Sequence, residues 1–164
     1  MTPREEVSTA FAAQLEVGLG FEVERNHSEP ADLDAREEYI VVLDGPEEPE
    51  EMDEQTGLAL HKMQVAVNGY LRGENIADAL NDLLTKVRHT AVLDRTLGGK
   101  LWGEVEREDQ EFSYFNGMLV GGLVEWDAFT TMGASPGGFF SQEFTLVYAT
   151  DPSNALVLVS MGAR

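Results

Sequence analysis

Residues 58–91, LALHKMQVAVNGYLRGENIADALNDLLTKVRHTA, decide the fold, because the apolar repeat changes there from strand to helix spacing. Between Leu58 and Leu71, Met63, Val65 and Val67 alternate with Lys62, Gln64 and Asn68, the pattern of one long strand with a buried face. From Ile76 onward, Leu80, Leu83, Val87 and Ala91 recur at helical spacing, and Leu84 widens the stripe. Glu74, Asp78 and Asp82 lie towards the start of this helix, and Lys86, Arg88 and His89 towards its end. That order complements the aligned peptide dipoles, and Asp82 with Lys86 makes a favourable i, i+4 pair. These acids are explained locally.

Working outward to the N-terminus, Thr2-Pro3-Arg4-Glu5 reads as a helix start with a capping box. Val7, Ala10, Phe11 and Leu15 give that helix one apolar stripe, and Gly18 and Gly20 supply its stop. Phe21 to Arg25 and Tyr39 to Leu43 read as strands, so three successive strands before the second helix suggest an antiparallel meander. Beyond Leu97-Gly98-Gly99, Leu101 to Glu108 reads as a strand. So does FFSQEFTLVYAT, in which Phe140, Phe144, Leu146 and Tyr148 alternate, and Asp151-Pro152 ends it. Residues 112–138 are apolar and glycine-rich, either a hairpin on the core or a segment buried only in a partner. Ala155 to Gly162 adds an edge strand or docks on a neighbour. The expectation is one α+β domain over 1–164: a single, mainly antiparallel or mixed sheet of four to six strands, with two amphipathic helices on one face. The other face and the edges are left to water or partners.

Thirty acidic against eleven basic residues give a formal charge of −19, a field that disfavours binding to nucleic acid or anionic membrane. From Glu29 to Glu54 there are twelve acidic residues and one basic residue, Arg36. Within that span residues 44–57, DGPEEPEEMDEQTG, have two prolines and no aromatic, and read as an extended, mobile acidic loop. There is no cysteine, which excludes disulfides and thiolate chemistry. No basic flank with an apolar run opens the chain, and no stretch approaches the roughly 18 apolar residues of a membrane span.

A search for chemistry returns little. Gly133-Ala134-Ser135-Pro136-Gly137 matches the nucleophile-elbow pattern, but Pro-Gly-Gly follows the serine where a helix is needed. His27, His61 and His89 all precede Ser135, against the triad order of that fold. The histidines lack metal-site spacing, and His61 reads as a hydrogen-bonded histidine on the face of Met63 and Val65. The acids of Glu47 to Glu54 do not follow the EF-hand pattern, and the Gly-Gly pairs form no phosphate loop or dinucleotide fingerprint. No catalytic residue, metal site or cofactor is expected.

The order of elements, the helix ADALNDLLTKVRHTAVLDRTLGG and the phrase FTLVYATDPSN, with Tyr148-Ala149-Thr150, resemble the tail terminator (tail completion) proteins of long-tailed phages and gene transfer agents. The resemblance spans roughly residues 3 to 152; the segment 112–138 and the tail after Pro152 depart from it. It implies a hexameric ring at the tail-neck junction of the virion, assembled in the host cytoplasm. Such a ring caps the tail tube, ends its polymerisation and meets the head-tail connector or stopper protein. DNA passes through without specific binding, and the family has no catalytic residues. On this reading Glu47, Glu48, Glu50, Glu51, Asp53 and Glu54 are candidates to face the lumen or the tube end. Trp126 and Phe129 are candidate interface anchors, or else members of the domain's own core. The alternatives are another neck or tail component, such as a head completion or minor tail protein, and an acidic adaptor that mimics nucleic acid.

Overall fold

The computed structural model describes residues 1–26, 38–103, 105–106, 114–115, 117–132 and 135–160, with the side chains of 105–106, 114–115, 129–132 and 135 outside that description. Helix α1 is Pro3–Leu19 and opens on the expected capping box. Thr2 Oγ1 accepts from the Glu5 amide at 3.2 Å, and the Glu5 carboxylate accepts from the Thr2 amide at 2.7 Å. Two donors that a helix start leaves open are thereby satisfied. Gly20 closes the helix with a φ of 80°, a conformation glycine adopts without penalty. Gly18, expected to help stop α1, lies inside it instead. A Cβ at this position would stand 2.1 Å from Thr90 Cγ2, so the glycine lets α1 close onto the second helix.

The strands β1 (Val23–Arg25), β2 (Glu38–Glu47), β3 (Glu51–Met52) and β4 (Ala59–Arg72) precede α2 (Ile76–Ala91). After it come β5 (Val105–Glu106), β6 (Tyr114–Phe115), β7 (Met118–Met132), β8 (Ser135–Asp151) and β9 (Asn154–Val159). Seven strands form one sheet in the order β1-β2-β4-β8-β7, with β3 beside β4 and β9 beside β8; β5 and β6 make a separate ladder. The sheet exceeds the expected four to six strands because β3 and β9 are short additions to long neighbours. The first strands are not an antiparallel meander, since β1 runs parallel to β2. A three-residue strand carries no sequence sign of its direction. Of the strand expected over Leu101 to Glu108, the described residues include Val105–Glu106 as strand and 101–103 outside it, while 104 and 107–108 lie outside the described residues. Leu101 and Trp102 are buried outside it, and the Trp102 amide donates to the Val147 carbonyl at 2.8 Å.

The centre is the β4/β8 pair, in register from Ala59 opposite Thr150 to Arg72 opposite Gly137. Met63, Val65 and Val67 stand opposite Leu146, Phe144 and Gln142, so all six share a face. Both helices cover that face, as expected. Val7, Phe11 and Leu15 of α1 and Ile76, Leu80, Leu83, Leu84 and Val87 of α2 are buried with these strand residues. The Phe11 and Phe144 rings meet edge-on with centroids 5.3 Å apart. Each such full burial contributes about 1.5–3 kcal/mol.

The acidic segment expected as a mobile loop carries strand pairing, and of the two readings of 112–138 the hairpin is the one found. Within 44–57, β2 continues to Glu47, β3 pairs with Ala59 and Leu60, and the Gly57 amide donates to the Asp53 carbonyl at 2.7 Å. The acidic chain lies along β4 here, and the Glu48 amide donates to the Lys62 carbonyl at 3.1 Å. Within 112–138, β7 pairs with β8 from Met118 to Met132, making a hairpin of this sheet.

Candidate assembly surfaces

The six acidic candidates do not act as one group. Glu47 is half-buried: its Oε1 accepts from Tyr148 Oη at 2.6 Å and from Arg4 Nη1 at 3.0 Å, and its Oε2 lies 3.8 Å from His61 Nδ1. Glu48 and Glu51 both approach Lys62 Nζ at 3.9 Å. Asp53 is a turn-former, accepting from the Gln55 amide and the Thr56 hydroxyl. Glu50 and Glu54 are exposed. The exposed charge thus narrows to a margin beside β3, with Glu50 and Glu54 at its outside.

That margin is anchored by two polar clusters. In the first, His61 stacks on Tyr148 at 4.8 Å and its Nε2 meets Thr150 Oγ1 at 2.8 Å, as its strand parity with Met63 led one to expect of a bonded histidine. Burial, then the Glu47 hydrogen bond and charge, push the Tyr148 phenol well above its ordinary pKa, against a smaller effect of Arg4. In the second, Arg25 donates to Ser8 Oγ at 3.0 Å, Thr9 Oγ1 at 3.1 Å and Asp44 Oδ2 at 3.1 Å, and Ser8 donates to Asp44. Arg4 also donates to the Gly45 carbonyl. The start of the acidic segment is therefore tied to α1. Sequence reading missed Arg4, Arg25, Asp44 and Tyr148, because their partners lie far along the chain.

The second surface is the free edge of the sheet. β4 occupies one side of β8, so β7 and β9 both lie on the other, β9 beside residues 149–151 and β7 beside residues 135–146. Of the eleven exposed large hydrophobic side chains among the described residues, seven are on these two strands. They are Leu119, Val120, Leu123, Val124 and Trp126 of β7 and Leu156 and Val157 of β9, and Leu156 is 79% exposed. In β7 only Glu125 and Asp127 are charged, and β9 carries no charge. Apolar residues are thus gathered on one edge of an otherwise acidic chain.

The shape of this edge is set from beneath. The pairing of β7 with β8 shifts between Val120 and Leu123, between Leu123 and Glu125, and between Asp127 and Thr130. Each shift bends the strand, and bent edges resist indiscriminate pairing. At the first shift the buried Gln142 side chain donates to the carbonyls of Gly121 and Glu143, each at 2.9 Å, while its oxygen accepts from Arg88 Nε at 2.9 Å. The amide thus satisfies a carbonyl that the irregular ladder leaves over. Trp126 is 37% exposed on this edge; Phe129 is in β7, but its side chain lies outside the described residues.

Ser135 begins β8, so a strand follows it where a nucleophile elbow requires a helix. His27 lies outside the described residues, His61 belongs to the Tyr148 cluster, and His89 sits in the last turn of α2. Among the described residues no group of three or more His, Cys, Asp or Glu is placed to hold a metal. No described helix is long and apolar enough to cross a membrane. A shallow cleft at the start of α2, lined by Gly73, Glu74, Asn75, Asp78, Ala128 and Pro136, offers two carboxylates and no histidine or cation.

No family model and no curated protein matches the chain. Among solved structures, a chain of the "Virion of native gene transfer agent (GTA) particle" aligns over 88% of this chain and 95% of its own, at 16% identity and a TM-score of 0.37. A likeness that loose transfers neither fold nor function.

Proposed function

We propose that this chain is a non-catalytic structural protein of a phage-like virion, a subunit of a ring that caps the tail tube, ends its polymerisation and offers a joining surface to the head connector. The assembly role is carried by one observation, the exposed apolar edge of β7 and β9 on a chain of charge −19. An edge of this kind is stable in water only when a neighbour covers it. The ring of six, the tube and the connector as partners rest on the resemblance in element order and in the phrases of α2 and β8. The charge suits a passage for DNA, because a surface that repels phosphates does not hold the strand in transit. Of the acidic candidates, the exposed Glu48, Glu50, Glu51 and Glu54 are the ones placed to line such a passage or meet the tube end.

Deleting the gene from a producing cell tests the proposal. Particles are expected to show tubes of uncontrolled length without attached heads, restored by supplying the protein. Normal particles without it would refute the proposal.

A further inference from the structure

We infer that, in the free protein, the β7 edge pairs with the same edge of a second copy across a two-fold axis at Gly121–Gly122. The inference goes beyond the ring, whose contacts are directional, whereas this contact is reciprocal. The segment Leu119-Val120-Gly121-Gly122-Leu123-Val124 is self-complementary about its centre. An antiparallel partner brings Val120 against Leu123 and Leu119 against Val124, so each pair joins one leucine to one valine. Val120 and Leu123 lie opposite Phe144 and Gln142, two positions apart in β8, so they share a face, as reciprocal packing requires.

At the crossing point, a Cβ built on Gly122 meets nothing within 4 Å, leaving room for a second backbone. The bends to either side keep the backbone pairing short and leave the rest of the contact to side chains. Charge decides the occupant. Two copies bring little like charge together here, because Glu125 and Asp127 are the only charged residues of β7. A basic partner, which the acidic chain attracts elsewhere, finds few acids to pair with on this edge. Self-pairing therefore hides in the free protein an edge that an assembling particle uncovers.

Sedimentation equilibrium of the intact chain is expected to give twice its mass of 18.0 kDa. Leu123→Asp, with circular dichroism used to check that it folds like the parent, is expected to weaken self-association by about 100-fold. The chain has no cysteine, so Gly122→Cys places one thiol per copy beside the axis. On oxidation it is expected to cross-link into a dimer far faster than Val17→Cys, whose site on α1 is 85% exposed. A monomer at all concentrations, a ring-sized mass, an unchanged dimer in Leu123→Asp, or equal cross-linking of the two cysteine variants overturns the inference. A ring-sized mass would do so while supporting the proposed function.

Discussion

Glu47 accepts hydrogen bonds from Tyr148 and Arg4, residues 101 and 43 positions away along the chain. In the sequence Glu47 is one acid in a run, and nothing local separates it from Glu48. His61 was legible as a bonded strand histidine through its parity with Met63, but its partners were not, because pairing across β2, β4 and β8 leaves no mark on local periodicity. Removing the phenol's hydrogen bond by Tyr148→Phe is expected to cost about 1–2 kcal/mol at pH 7 by urea unfolding. A phenol whose pKa is raised in the folded state keeps its proton longer there. Its contribution is therefore complete below about pH 10 and is lost as pH rises further. The stability gap between the parent and Tyr148→Phe should shrink by about 1 kcal/mol at pH 11; a constant gap would show that Glu47 and burial do not hold the proton. Glu50→Gln with Glu54→Gln should leave stability within about 0.5 kcal/mol, as thermal unfolding would show, because neither carboxylate is among the ion pairs of the margin. A larger loss would make those two acids structural.

Both helices, and β2, β4 and β8, were readable because each buries one face, and the spacing of apolar residues states that face directly. Elements whose character depends on a neighbour were not. The direction of β1 follows from its partner, and β3 exists only beside Ala59 and Leu60. β7 reads as an ambiguous apolar segment because its bends break the two-residue period on which strand recognition relies. Gly18 was misread for a related reason: a glycine near a helix end resembles a stop, and only the approach of Thr90 shows that it makes room. Gly18→Val is expected to force α1 from α2 and cost about 1–3 kcal/mol in chemical unfolding, although helix propensity alone favours valine over glycine. Pairing it with Thr90→Ala should recover part of that loss; no recovery would show that the two helices do not meet at this point.

At the scale of the whole molecule, the two helices cover one face of the sheet and the β7/β9 edge gathers most of the described exposed apolar side chains. The apolar composition of 112–138 left open a hairpin or a segment buried in a partner; the structure has the hairpin, with Trp126 37% exposed on its edge. An edge strand was one expectation for Ala155 to Gly162, but its place in line with β7 was not read, because only the sheet order shows it. Internal ion pairs and turns hold several of the thirty acids in place, so the acid count overstates what a partner meets at any one place. The most direct test of a tube-capping subunit is to add the purified protein to growing tubes of the cognate tube protein and follow tube length by electron microscopy. Elongation is expected to stop, with added density at one tube end and a loss of this effect in Leu123→Asp. An unchanged length distribution with bare tube ends would contradict the capping role.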